Sequence, residues 1–278
     1  MSNKNSVIKP TSLVLGRLSV FFCVLAIWEI ASRDPQLAFF FGDPQRVMMT
    51  LWQWFTEGDG VLEIAWGDQV LYSLHFPAQI YPHLIITLSE TLLSFIIGTL
   101  MGMAAGLFLG VNPLLSGIFS PYIKALNSLP RVILAPIFAM WFGLGIWSKV
   151  AFSLTLVFFV VFFNVWRGVR DVNPVLLDNA RMLGANRRQQ LMTIYLPSAT
   201  SWVFSSLHMA IGLAFVGAVV GEYLGSYRGI GYLILQAEGS FDINTILAGT
   251  VLLTLFALLL DSGINVIERH AFKYRQVK

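Results

Sequence analysis

Cysteine, histidine and charge are all scarce in this sequence. Cys23 is the single cysteine, so no intrachain disulfide forms and no thiolate zinc site can be built. His75, His83, His208 and His270 are scattered without ligand spacing, so no metal is expected. HExxH, CxxC and GxSxG are missing, as is the P-loop, which rules out binding and hydrolysing ATP in the Walker manner. Only 12% of the 278 residues are charged, against roughly 25% in a soluble domain. What fills the space is apolar: 56% hydrophobic and 14% aromatic residues, with a mean hydropathy of +0.71. That balance belongs to an all-α polytopic membrane protein. The net charge of +3 is small and its placement matters more than its sum; no nucleic-acid partner is expected.

About 20 apolar residues cross the hydrocarbon core, and six segments qualify, at roughly 13–31, 84–110, 117–141, 148–166, 198–220 and 244–266. The basic start superficially resembles a signal peptide, but the run from Leu13 to Ala31 is long enough to span and more spans follow. Loops rich in Lys and Arg face the cytoplasm. The amino tail has Lys4, Lys9 and Arg17 without an acid. The stretch between spans four and five has Arg167, Arg170, Arg181, Arg187 and Arg188 against Asp171 and Asp178, and the carboxyl tail has Arg269, Lys273, Arg275 and Lys278. Residues 32–83 instead set Asp34, Asp43, Glu57, Asp59, Glu63 and Asp68 against Arg33 and Arg46. Six crossings place both termini and the basic stretch on one side and the acidic loop on the other, as the charges require. In that outer loop Trp52, Trp54, Trp66, Tyr72 and Tyr81 read as interfacial anchors.

The basic stretch is a polar island, Asn173 to Pro197, whose punctuation spells two short helices. Asn173 is a good N-cap and Pro174 suits the first helical position, where a missing N–H costs nothing. Gly184 can end the first helix in the left-handed conformation that other residues resist. Asn186 can cap a second helix reaching Tyr195, and Pro197 ends it or starts the next span. Val175, Leu177, Ala180, Leu183, Leu191 and Ile194 supply an apolar side; Arg181, Arg187 and Arg188 supply a cationic one. Such a module suits docking against another protein.

Within the spans three patterns stand out. Gly98, Gly102, Gly106 and Gly110 recur every fourth residue, a smooth strip for close helix packing. Pro121, Pro130 and Pro136 should kink or interrupt the third span, either for packing or to line a path. The fifth span is small-residue-rich from Ser198 to Gly221 and belongs where helices crowd it on several sides. Ionisable groups at membrane depth are costly; Glu90, Glu222 and Asp261 are the candidates, each either on a path or paired across helices. Lys149 reads as interfacial, and Arg131 as a path cation or a paired one. The segment Gly225–Gly231 (GSYRGIG) follows a span rather than a strand, so it reads as a turn re-entering the membrane and not as a phosphate cradle.

The island resembles the "EAA" cytoplasmic loop of ATP-binding-cassette importer permeases, with Asp178-Asn179-Ala180 at the triplet, then Gly184, then Ile194-Tyr195-Leu196-Pro197. Asp replaces Glu and keeps the charge; Asn replaces a small residue. Leu126–Gly145, Phe162–Pro174 and Val219–Ile234 look like the nitrate/sulfonate/taurine-type branch, and the likeness runs over roughly residues 80–272. It implies a type I importer permease fold: a tail and first span at 1–31, an external loop at 32–83, a permease core at 84–272 containing a cytoplasmic coupling loop at 167–197, and a tail at 273–278.

It also implies a chain that is no enzyme and binds no cofactor, driven by two separate ATP-binding subunits carrying ATP and magnesium. A second permease copy and an external solute-binding protein complete the set, in a bacterial plasma membrane with both termini cytoplasmic. The coupling residues would be Asp178, Asn179, Ala180, Arg181, Gly184, Ala185, Arg187, Arg188 and Pro197. Candidates for the path or its gate are Glu90, Pro130, Arg131, Pro136, Met140, Trp141, His208 and Glu222. The expected solute is a small organic or oxyanionic molecule such as a sulfonate, taurine or nitrate, with nitrogenous or vitamin-precursor solutes also open. The rival reading, an ion-gradient-driven secondary transporter or channel, needs inverted repeats and paired broken helices, and the second half does not mirror the first.

Overall fold

Apolar runs fold as helices because a chain out of water must satisfy its backbone polar groups within each segment. The computed structural model describes residues 10–66 and 69–272; Lys4, Lys9, Asp68, Lys273, Arg275 and Lys278 lie outside the described residues. In chain order come α1 (Pro10–Ala31), α2 (Pro35–Phe41), α3 (Pro44–Thr56), β1 (Gly60–Trp66), β2 (Gln69–Phe76), α4 (Ile80–Val111), α5 (Pro113–Asn127) and α6 (Leu134–Phe142). They continue with α7 (Ile146–Arg170), α8 (Pro174–Met182), α9 (Arg187–Gln190), α10 (Leu196–Leu224), α11 (Ile230–Gly239) and α12 (Ile243–Phe272).

Five described helices are long and apolar enough to cross a membrane: Leu13–Ala31, Ile80–Val111, Ile146–Arg170, Trp202–Leu224 and Ile243–His270. The third expected span, 117–141, is not one helix. There α5 and the segment Arg131–Phe142 meet at 77°. Of its three prolines, Pro130 makes the break: it is extended, with ψ of 99°, and a 3₁₀ turn over Arg131–Ile133 follows. Pro121 sits inside α5 without ending it, and Pro136 falls in the first turn of α6, where its missing N–H has no helical acceptor.

Residues 32–83 are not a plain loop. Asp34 and Asp43 each precede a proline and cap a helix, accepting from Gln36 N and Gln45 N at 2.8 Å. An antiparallel hairpin follows, with Gly60 opposite Phe76, Leu62 opposite Leu74, and an irregularity between Ile64 and Ala65. Of the expected aromatic anchors, Trp52 and Tyr72 are exposed. Trp54 and Tyr81 instead pack on the buried cluster of Ile80, Ile230, Leu233 and Leu252, and α4 starts at Ile80 rather than at 84.

The main core is a seam between α4 and α7. The glycine strip faces a valine strip at the same spacing: Cβ atoms added at Gly98, Gly102, Gly106 and Gly110 would approach Val157, Phe158 O, Phe162 O and Val169 within 2.7–2.9 Å. Val157, Val161, Val165 and Val169 are buried in the same cluster as Ala199, Ala210 and Ala214 of α10. Only hydrogen fits at the glycines, so the backbones meet closely and gain dispersion contacts that no lipid chain could replace. On the other side of α7, Gly217 packs against Ser153 and Gly221 against Lys149. The small residues of α10 thus let it touch α4, α6, α7, α11 and α12 at once, the crowding that its composition foretells.

Candidate functional site

The polar island folds from its own local signals. Asn173 caps α8 by accepting from Val175 N at 2.9 Å. Gly184, with φ of +79°, ends that helix. The closing bonds are Gly184 N to Arg181 O and Ala185 N to Ala180 O, both 2.9 Å, the paired pattern of a Schellman turn. Asn186 and Gln189 then form a reciprocal capping box, 2.9 Å and 2.8 Å, at the start of α9. From Arg187 the chain stays helical to Leu224, passing from α9 through a π-helical turn at Leu191–Tyr195 into α10. Pro197 accounts for the widened turn: without an N–H it cannot bond the carbonyl four residues back, and its ring crowds that carbonyl.

The island's apolar residues divide. Leu177, Ala180, Leu191 and Ile194 are half-buried, so they seat the module on its own chain. Val175 and Leu183 are exposed, joined by Leu176 and Met182; Met182 and Leu183 are 86% and 88% accessible, covered by little of the described chain. Around them Arg187, Arg188 and the Arg181–Asp178 pair, 3.0 Å apart, are exposed too. Asn179 is exposed and Ala185 half-buried.

At the other end of α7 and α10 lies a different construction. Glu222 is wholly buried, yet both carboxylate oxygens are satisfied: Thr87 Oγ1 donates to Oε1 at 2.6 Å and Gly231 N to Oε2 at 2.8 Å. Ile230 N donates to the same Thr87 hydroxyl at 3.1 Å, and Gly229 N to His83 Nδ1 at 3.0 Å. The turn from α10 into α11 is therefore pinned to α4. Gly229 has φ of +109°, and a side chain there would strike the Glu222 carboxyl, so glycine is required twice over. The GSYRGIG segment is a turn returning into the bundle, as its position suggests.

Glu90 and Lys149, each 1% exposed, share this buried region and interact electrostatically with Glu222 and with each other. Lys149 is buried instead of snorkelling to solvent: its ammonium turns back to donate to Leu144 O and to Gly145 O, the latter at 3.1 Å. Glu90 Oε2 has no hydrogen-bond partner among the described residues. Thr87 and His83 escape sequence reasoning, and Gly229 and Gly231 are legible there only as parts of a turn. The only local trace is Thr87 and Glu90, three apart on one helix face and turned toward the same neighbours.

The remaining candidates disperse. Arg131, just past the break, donates to Asn127 and lies over the Phe159 ring, 5.2 Å from its centroid. Met140 and Trp141 are exposed on α6. His208 is away from Glu90 and Glu222: its Nδ1 meets Asp261 Oδ1 at 3.1 Å and its Nε2 meets Glu268 Oε2 at 2.8 Å, both on α12. Asp261 thus has a partner across helices.

Residues 94–273 match the family described as the binding-protein-dependent transport system inner membrane component. The chain belongs to this family. Relatives resemble the permease over nearly its whole length. The taurine transport system permease protein TauC of Escherichia coli (strain K12) is 27% identical over 261 residues, 94% of this chain and 89% of its own. The formylaminopyrimidine transport permease protein ThiX of Halalkalibacterium halodurans is 27% identical over 256 residues, 92% and 94% of the two chains. Among solved structures, an inward-facing MetNI methionine ABC transporter superposes with a TM-score of 0.58 at 19% identity, over 69% of this chain and 97% of that one. This last likeness concerns the fold, which is that of a type I ABC importer permease. The protein is thus a multi-pass membrane permease, part of an inner-membrane transport system.

Proposed function

We propose that this permease forms the solute path of an ATP-driven importer and receives its drive through α8 and α9. The observation that carries this reading is the exposed Met182–Leu183 tip on a doubly capped turn that runs without a loop into α10. An apolar tip ringed by Arg187, Arg188 and the Arg181–Asp178 pair fits a cleft on a separate ATP-binding subunit, with ATP and magnesium held there and not here. Asp178, Asn179, Ala180, Gly184, Ala185 and Pro197 fix the shape of the tip.

Two such subunits would serve two permease copies around a shared path. A solute-binding protein would deliver cargo at the Glu222 end, outside, and the termini would lie in the cytoplasm. The broken segment at Pro130, with Arg131, Pro136, Met140 and Trp141, supplies irregular backbone of the kind a path can cover. Buried Glu90 and Glu222 make the outer end of that path a firmly tied closure, whereas His208 serves the α10–α12 contact. The solute class is a small organic or oxyanionic molecule, a sulfonate or taurine first, and a nitrogenous vitamin precursor second.

Reconstituted with its ATP-binding partner and a solute-binding protein, the permease should lose at least about tenfold of ATP-dependent uptake on Leu183→Glu, since a desolvated contact of about 1.4 kcal/mol is worth that factor. Its thermal stability should not change. Normal uptake by Leu183→Glu and Gly184→Pro together would refute the docking role. Uptake that persists without ATP and collapses with the proton gradient would favour a secondary transporter.

A further inference from the structure

A groove of about 500 Å3 opens at the Glu222 end of the bundle, on its periphery, between the α1–α2 turn, α2, the start of α3 and the α11–α12 turn. Its level is set by the spans: Ala31 ends the first and Ile243 begins the last. The groove therefore lies where hydrocarbon gives way to water. Local bonds hold its frame. Trp28 Nε1 donates to Phe41 O at 3.0 Å, and Asp43 N to Asn244 Oδ1 at 2.8 Å.

Two guanidinium groups line it. The Arg33 guanidinium makes no hydrogen bond or ion pair with any described residue, and Arg46 stands 3.7 Å from the Asp43 carboxylate with most of its side chain exposed. Two carboxylates face them. Asp43 caps α3, and Asp242 caps α12 by accepting from Asn244 N, Thr245 N and Thr245 Oγ1. A carboxylate has about four acceptor positions, so each retains capacity for a cationic donor. The walls are aromatic: Phe39 of α2 is exposed, and Phe241 shows 80% of its surface. Phe241 is also the one described non-glycine residue at positive φ, +56°. A bulky residue rarely takes that conformation, and strain of this kind gathers at ligand clamps.

A cation pair, a carboxylate pair and two open rings at a membrane surface ask for a ligand with phosphate, ammonium and an apolar tail. A headgroup carrying only negative charge would draw Arg33 and Arg46 to its phosphate and bring no cation for Asp43 and Asp242. Free phosphate would leave both rings facing water. We propose that the groove binds an amine-bearing zwitterionic phospholipid, with its phosphate on Arg33 and Arg46, its ammonium toward Asp43 and Asp242, and its first acyl carbons between Phe39 and Phe241. The bound lipid would tie α1 to α12 where few direct contacts do so.

The test is native mass spectrometry of the full-length detergent-purified chain after delipidation, with phosphatidylethanolamine or phosphatidylglycerol added back. Phosphatidylethanolamine adducts should predominate, fall roughly tenfold in the Arg33→Ala/Arg46→Ala variant, and return in part with Arg33→Lys/Arg46→Lys, since lysine keeps the charge but not the bidentate fork. Phe241→Gly, which suits the positive φ and so keeps the fold, should weaken retention too. Equal adducts in the alanine variant, preference for phosphatidylglycerol, or displacement of the lipid by millimolar inorganic phosphate would each overturn the proposal. So would hydrogen exchange at residues 238–244 that slows with an added solute-binding protein and not with phosphatidylethanolamine vesicles, which would assign the groove to that protein.

Discussion

At the Leu196 end of α10 the chain is held by bonds between near neighbours in sequence, Asn173 to Val175 and Asn186 to Gln189. At the Leu224 end the bonds join Thr87 to Glu222, Thr87 to Ile230 and His83 to Gly229, segments more than a hundred residues apart. One end is exposed and assembled from caps; the other is buried and assembled from cross-helix polar contacts. The difference separates two tasks. A module that meets a partner must hold its shape without help from the core, so its determinants are local. A closure between helices derives its strength from burial, where each unpaired polar group is expensive.

Substitutions should part the two ends sharply. Glu222→Leu leaves the buried Gly231 N–H without its acceptor, removes the Thr87 bond between α4 and α10, and takes one of the two carboxylates from around Lys149. It should cost about 3–5 kcal/mol, read as a lowered thermal midpoint; a loss below about 1 kcal/mol would mean that the cluster is not what fastens this end. Gly184→Val places a β-branched residue in the left-handed region and should cost about 1–2 kcal/mol, with a larger proportional loss of ATP-dependent uptake than of stability. Asn186→Ala removes one cap and should cost about 1 kcal/mol. The smallest effect belongs to Arg181→Ala: its pair with Asp178 is mostly solvent-exposed on both sides, so stability should move by under about 0.5 kcal/mol. Should Arg181→Ala destabilise as much as Glu222→Leu, the contrast between the ends would fail.

The same contrast decides what a sequence reader can see. Asn173, Gly184 and Asn186 announce caps and turns within three or four residues of the bonds they make, so both short helices and the glycine stop are legible. So is the strip at Gly98, Gly102 and Gly106, although its partner, the valine strip of α7, is recognisable only once the two are side by side. Lys149 misleads because a lysine near a span end ordinarily snorkels. Here Leu144 and Gly145 turn their carbonyls back toward it, and α10 covers it. Three prolines announce a broken span but not which one breaks it; exposed Pro121 stays within α5, and the break falls at Pro130. In residues 32–83, Asp34-Pro35 and Asp43-Pro44 are cap signals that go unread amid the count of acidic charge.

The unbroken run from Arg187 to Leu224 has a geometric consequence. With 29 residues and a rise of 1.5 Å per residue, α10 alone is about 43 Å long, and no joint lies between the π turn and Glu222. A tilt of about 10° around its midpoint would carry each tip sideways by roughly 4 Å, longer than any hydrogen bond that holds the Glu222 carboxylate. A small rotation imposed at one membrane surface is thus large enough to undo the fastening at the other.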